Sequence, residues 1–314
     1  MDNFIFSLNA TIPIFLVIAL GYFLMQAGMF NENFNAVANK YVFKIALPVL
    51  LFKDIVTARI REVFHLKFVL FCMSVTIIMF LGIWLITSLL MKDKMMVGAF
   101  TQASARGSAA VFGIAFVENI YGNSGMAPLM IVSAVPLYNI LSVIILTMCS
   151  NERQKNRSQI KSAFKNVITN PIILGIAAGI PFSLLEITLP TIALRTITSI
   201  ASTATPLALL VVGAGFEGRN VLKKVKPALI ATFIKLIGLP AIFFPAALAL
   251  GFRSSELVAI LVMLGAPTTV TCYIMAKNMG NDEGLTSSIV VLTTLLSSIT
   301  LTFWLFLLRA MNLI

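Results

Sequence analysis

The chain has 314 residues, 59% of them hydrophobic and 11% charged, with a mean hydropathy of +0.98. Soluble domains carry about 25% charged residues, so this composition excludes a water-soluble globule and points to an integral membrane protein. The net charge of +11 would suit a nucleic-acid binder, but the basic residues sit in short loops between apolar stretches, which the positive-inside rule produces without nucleic acid.

Ten helical spans are expected, at 5–26, 35–54, 67–91, 95–117, 126–149, 167–185, 191–216, 226–250, 255–277 and 286–309, each near the ~20 residues a crossing needs. Strands of a membrane barrel would be about ten residues long with strict alternation, so the architecture reads as all-helical. The first span opens on Met1-Asp2-Asn3, with no basic n-region or small-residue cleavage site, and reads as a retained helix rather than a signal peptide. In the second span Lys44 is close enough to one face to snorkel.

The fourth span is unusual. It reads Gln102-Ala103-Ser104-Ala105-Arg106-Gly107-Ser108-Ala109, small and polar, with Arg106 about 16 Å into the bilayer at helical rise. The ninth, Leu264-Gly265-Ala266-Pro267-Thr268-Thr269, carries a proline at the equivalent depth, and proline opens a helix. Unwound backbone at that depth needs a protein or polar-cavity environment. A broken helix also presents unpaired amides that favour an anion. An arginine fork suits a carboxylate, and a charge at the bilayer centre is a functional candidate by default. The candidate binding set is Arg106, Gly107, Ser108, Ala109, Gly265, Pro267, Thr268 and Thr269, with Asn139 of the fifth span and Lys235 of the eighth. Asn139 could serve substrate or a neighbouring helix, Lys235 the site or the scaffold, and Arg106 could instead pair with a carbonyl or Glu118.

The second half repeats the first. Pro13 returns as Pro171, Pro48 as Pro206, Gly107 as Gly265 and Gly122 as Gly280, every pair 158 positions apart. A repeat of this size in a hydrophobic chain is a mark of secondary transporters. The expected organisation is a first five-helix repeat at 1–150, a linker at 151–165 and a second repeat at 166–314. Five spans per repeat is odd, so the repeats would insert with opposite orientations. The basic loops at Lys92–Lys94, Asn151–Lys165 and Arg219–Lys226 set the cytoplasmic side of the cell membrane and leave both termini outside, although Lys53–Lys67 is basic on the other side.

Some chemistries find no support. Cys72, Cys149 and Cys272 have no metal-ligand spacing. No Asp or Glu lies near the centre of a span and His65, the one histidine, is in a loop, so neither a carboxylate proton relay nor an intramembrane protease is expected. A sodium ion on hydroxyls and freed carbonyls stays open, as does a channel. A homodimer is a candidate assembly.

These residues resemble the auxin efflux carriers. The matching pieces are Leu20-Gly21-Tyr22-Phe23-Leu24, Ala46-Leu47-Pro48-Val49-Leu50-Leu51-Phe52, Gly113-Ile114, Asn170-Pro171, Pro206-Leu207-Ala208-Leu209, Gly265-Ala266-Pro267 and Thr294-Leu295-Leu296-Ser297, in order along the whole chain. The chain departs from the family pattern at Ser108, where Asn is usual, at Ala115, where Pro is usual, and at Gly107, where plant carriers have the crossover proline. The resemblance implies five-plus-five inverted repeats, a scaffold and a transport domain, spans four and nine crossing at the midplane, and a fold similar to the bile acid sodium symporters. It also implies organic-anion substrates, auxin-like monocarboxylates or malate- and malonate-like dicarboxylates.

Overall fold

A computed structural model describes residues 2–57, 65–109, 116–118, 120–123, 125–150, 165, 168–215 and 224–314. The basic loop up to residue 164, the Gly113-Ile114 pair, Ala115, the middle of Lys53–Lys67 and most of Arg219–Lys226 lie outside them. Among the described residues every element is helical except an isolated antiparallel bridge between Gly107 and Thr268. In chain order they are α1 (Asp2–Gln26), α2 (Glu32–Tyr41), α3 (Leu47–Val56), α4 (Leu66–Leu90), α5 (Lys94–Ala105), α6 (Ala127–Cys149) and α7 (Pro171–Leu184). They continue as α8 (Thr191–Ser202), α9 (Ala204–Ala214), α10 (Val225–Phe233), α11 (Leu239–Ala249), α12 (Ser255–Gly265), α13 (Thr271–Asn278) and α14 (Glu283–Ala310).

Several spans are composite, for local reasons. A π-turn at Val42–Ala46 joins α2 to α3, and another at Ile234–Gly238 joins α10 to α11. Each runs into a Leu-Pro pair, Leu47-Pro48 and Leu239-Pro240. A proline ring clashes with the carbonyl four residues back and offers no amide to it, and a wider turn relieves the clash. Leu236 holds that position relative to Pro240, and its carbonyl accepts the Trp304 indole N–H at 3.0 Å instead. Counted through such joints, six helices among the described residues are long and apolar enough to cross a membrane, and shorter apolar helices cover Ile12–Gln26, Pro171–Ser183 and Ser255–Gly265. The fourth and ninth expected spans fall short because each is interrupted: α5 ends at Ala105 with helix resuming by residues 116–118, and α12 ends at Gly265 with α13 starting at Thr271.

The buried apolar residues form two clusters. One takes in α4, α5, α6, α10, α11, α12 and α14, and the other α1, α2, α3, α7 and α9 together with α13. Within the second cluster α1 packs on α9 and α3 on α7, with glycines at close contacts. A Cβ on Gly21 would meet the Leu210 backbone, and one on Gly179 would lie 3.2 Å from the Phe52 carbonyl oxygen. Gly21 and Gly179 are 158 positions apart, and so are Phe52 and Leu210. The sequence repeat thus reappears as a pair of like contacts between helices, with small residues letting backbones meet where lipid supplies no hydrophobic driving force.

Gly213 separates packing from propensity. A Cβ there would strike the Ile18 carbonyl oxygen and approach the Ile18 carbonyl carbon and the Tyr22 nitrogen, all main chain that cannot rotate away. Gly82, in α4, has nothing within 4 Å of its Cβ position. Gly213→Ala should lower the melting temperature of the detergent-solubilised protein by the equivalent of ~1–3 kcal/mol of overpacking. Gly82→Ala should leave it unchanged or raise it, since Ala is the better helix former by ~1 kcal/mol. Equal effects of the two substitutions would refute this account of the α1–α9 contact.

Candidate functional site: two broken helices around a buried lysine and a buried arginine

The two helix breaks meet. Beyond α5 the Ser108 amide donates to the Pro267 carbonyl at 2.8 Å, within the Gly107–Thr268 bridge. Thr268 ties the junction on both sides: its hydroxyl donates to the Ala103 carbonyl at 2.7 Å, and its amide donates to the Thr293 hydroxyl of α14 at 3.0 Å. The Gln102 side-chain amide donates to the Cys272 carbonyl at 2.8 Å, binding α5 to the second half of the other broken helix. Unwound backbone survives here because neighbouring side chains satisfy the groups that the helices give up.

Lys235 lies at the centre and is fully buried. It comes from the π-turn before Pro240, and its ammonium donates to Ala105 O at 3.2 Å, Met263 O at 3.3 Å and Leu264 O at 2.8 Å. Those carbonyls belong to the ends of α5 and α12, where helices leave carbonyls unpaired and carry partial negative charge. An ammonium has three donors, and each has a partner here. Tyr138 of α6 adds a hydroxyl donated to the Met263 carbonyl at 3.1 Å. Gly107 leaves room for the lysine, since a Cβ would come within 2.9 Å of the Lys235 nitrogen.

Arg106 is the contrasting cation. It follows α5 in extended backbone and is 5% exposed. One terminal nitrogen donates to Asn139 Oδ1 at 2.8 Å, and the other contacts the Met275 sulfur of α13 at 3.0 Å. Asn139 is held in turn by donating its Nδ2–H to the Val135 carbonyl at 2.9 Å. Both arginine partners are neutral, and a thioether is a weak acceptor. Among the described residues no ion pair involves Arg106, and Glu118, the carboxylate nearest in sequence, is exposed. A guanidinium with five donors and no anionic partner, at a break between helices, is a ready anion-binding group.

The other candidates fall around this pair. Pro267 and Ala109 are buried, Ser108 and Thr269 partly so, and Gly265 lies against the Pro240 ring. Hydrogen bonding of α13 begins with Cys272 N–H to Thr269 O, so its first amides fall at Thr269 to Thr271, close to the junction. Lys44 is exposed, as snorkelling requires. Sequence reasoning missed Gln102, Met275 and Thr293. Their signal was faint: a lone amide in a small-residue run, a methionine among many, and a threonine in a hydroxyl-rich helix whose hydroxyls mostly bond the preceding turn of their own chain.

Two interrupted helices that meet around a buried lysine form an arrangement suited to a membrane transporter. The comparisons agree. Residues 6–305 match the family model described as membrane transport protein. The chain therefore belongs to the membrane transport protein family, in keeping with its likeness to the auxin efflux carriers. It is similar to a Rhizobium meliloti (strain 1021) protein named "Putative malonate transporter", 26% identical over 95% of each chain. It is also similar to uncharacterized transporters of Methanocaldococcus jannaschii, 23% identical over 95% of this chain and 97% of the other, and Methanothermobacter thermautotrophicus, 20% identical over 96% and 98%.

The lysine clamp is testable. Lys235→Met keeps bulk but leaves the Ala105 and Leu264 carbonyls without their lysine donor, the Met263 carbonyl keeping Tyr138, each loss costing ~1–3 kcal/mol. Melting of the purified variant should fall by the equivalent of at least ~2 kcal/mol, read by intrinsic fluorescence. Melting like that of the parent would mean that Lys235 does not hold the crossover.

Proposed function

We propose that this protein is a secondary active transporter that carries a small organic anion, a mono- or dicarboxylate, across the cell membrane by alternating access. Arg106 binds the carboxylate at the crossing of the broken spans, with Asn139 orienting the guanidinium and the free amides at the start of α13, from Thr269 to Thr271, adding donors beside Ser108, Ala109 and Thr268. The single observation that carries this reading is a buried arginine with only neutral partners, at the junction of two interrupted helices. Lys235, with its donors engaged, contributes positive field and holds the junction together.

Ten crossings arranged as two inverted repeats, residues 1–150 and 166–314, suit this mechanism. Supporting it are the 158-residue repeat, the like contacts of Gly21 with Leu210 and Gly179 with Phe52, and the separation of the buried residues into two clusters. The α1–α3, α7 and α9 cluster serves as the scaffold, and the other cluster carries the junction past it.

Charge-assisted hydrogen bonds contribute ~1.5–3 kcal/mol each in net terms. Arg106→Ala should therefore weaken binding of the transported carboxylate by more than about tenfold, with the extracted protein still monodisperse. Arg106→Lys should recover part of the affinity, because an ammonium keeps the charge and loses the fork. A well-folded Arg106→Ala protein that binds as tightly as the parent would put the anion elsewhere.

Orientation has its own test. Both termini face outside and the 151–165 loop faces the cytoplasm in this reading. Single cysteines at Asn3 and Gln154, probed in intact cells with an impermeant thiol reagent on a cysteine-free background, should label only at position 3. Labelling confined to position 154 would invert the topology.

A further inference from the structure

A cavity of about 240 Å³ lies among α3, α6 and α7, walled by Leu51 and Ile55, Val132 and Val135, and Ile176 and Ile180. In the 158-residue repeat α1 corresponds to α7, and α14 to α6. The pair α1 and α14 packs together, whereas α6 stands away from α7 and the cavity lies between them. Nearer its C-terminal end α6 joins the scaffold cluster through Val143 and Leu146. The opening is confined to the N-terminal half of α6.

The cavity reaches the outer surface of α7. Among the described residues the exposed ones on that helix are Leu174, Ala177, Ala178, Ile180 and Pro181, an apolar face of the kind that meets a membrane. Ile180 belongs to that face, 44% exposed, and also to the cavity wall. The polar side chains of the lining sit at one end. Asp54 is two residues from the end of α3 at Val56, and Ser183 is next to Leu184, the last residue of α7. Where membrane-crossing helices end, hydrocarbon gives way to headgroups. From Ser183 back to Ile176 the helix rises about 10 Å, and that stretch of wall is aliphatic.

The polar end has features of its own. Asp54 pairs with Lys53 at 3.2 Å, which places both signs of charge at the lip. The Ser183 hydroxyl is buried with no hydrogen-bond partner among the described residues. Such burial is costly, so the hydroxyl points to an acceptor from outside the chain.

We propose that this cavity binds a phospholipid with an ammonium headgroup, one acyl chain in the apolar chamber and the headgroup at the lip. Lys53 pairs with the phosphate, Asp54 with the ammonium, and Ser183 donates to an ester carbonyl. The chamber has room for about eight methylene-sized groups at ~30 Å³ each. A small carboxylate fits worse, since it would meet Asp54 at the lip and no cation on the wall. The bound chain props α6 away from α7, at the place that α1 and α14 fill by direct packing.

The test is photolabelling of the purified protein in phosphatidylglycerol nanodiscs. These hold a trace of phosphatidylethanolamine with a diazirine midway along one acyl chain. Peptide mapping should place adducts on α3, α6 and α7 in excess over the outer face of α4, where Ile78 and Leu85 are exposed. Val132→Trp, or separately Ile180→Trp, should cut the cavity adducts by more than about tenfold, the loss expected when even two methylenes are displaced. The α4 adducts should not change. Unlabelled phosphatidylethanolamine should compete better than phosphatidylglycerol in the parent, and equally in Asp54→Asn. Adducts no denser on the cavity walls than on α4 in the parent would overturn the proposal, whether or not the variants fold. Cavity adducts that persist in both tryptophan variants would overturn it as well. Adducts displaced by malonate or butyrate would assign the chamber to the transported solute instead.

Discussion

The Lys235 ammonium holds together the part of the molecule on which everything else depends. Two helices stop in mid-span, and each stop leaves carbonyls that cannot reach water. In a bilayer an unsatisfied backbone group costs several kcal/mol, so a break without a partner would not persist. Lys235 gathers Ala105 O from one stop and Met263 O and Leu264 O from the other. Its own burial is offset by the same three contacts and by the negative ends of two helices. Gly107 keeps the space open for it, and Thr268, Gln102 and Tyr138 bind further groups at the two stops. The junction is a polar network inside an apolar body.

Arg106 differs from Lys235 by what it lacks. The two cations are buried at the same junction, yet one is saturated by carbonyls and the other meets an amide oxygen and a thioether. In the proposed mechanism that division separates structural work from binding work. The saturated cation fixes the geometry of the break, and the unsaturated one presents charge in a direction set by Asn139. Preorganisation of this kind keeps donors in position before a ligand arrives, so little ordering is needed on binding.

Movement has a physical basis in the division of the buried residues into two clusters. Most contacts that hold the junction lie in one cluster, while α13 and the C-terminal end of α6 pack with the other. Tyr273 of α13 sits against Gly215 at the end of α9, where a Cβ would meet its hydroxyl, and Lys277 donates to that hydroxyl at 3.2 Å. On the opposite side α6 and α7 are parted. The proposed alternating-access mechanism would use such an arrangement, exchanging the roles of the two ends of the repeat.

Much was legible in the sequence because it is local or compositional. Apolar length predicts spans whatever they touch, which is why six of the expected segments reappear among the described residues as helices long and apolar enough to cross, and others as shorter or interrupted helices. Pro267 and the glycines at 107 and 265 mark breaks because proline and glycine act on their own backbone. Arg106 was conspicuous because a charge in an apolar run is costly anywhere. The π-turns were not predicted, although Pro48 and Pro240 carry their cause, since whether a proline kinks, widens or ends a helix depends on what covers the freed carbonyl; for Leu236 that is Trp304, 68 residues away. Lys235 could be read as site or scaffold until its three partners, about 30 and 130 residues distant, were in place. The gap between α6 and α7 has no sequence signature, because the equivalent pair α1 and α14 is packed. Sequence alone determined where the chain crosses, repeats and breaks, since those follow from each residue's own backbone and solvation. Tertiary structure decided which cation is satisfied and which end is open, since both depend on partners that only folding brings together.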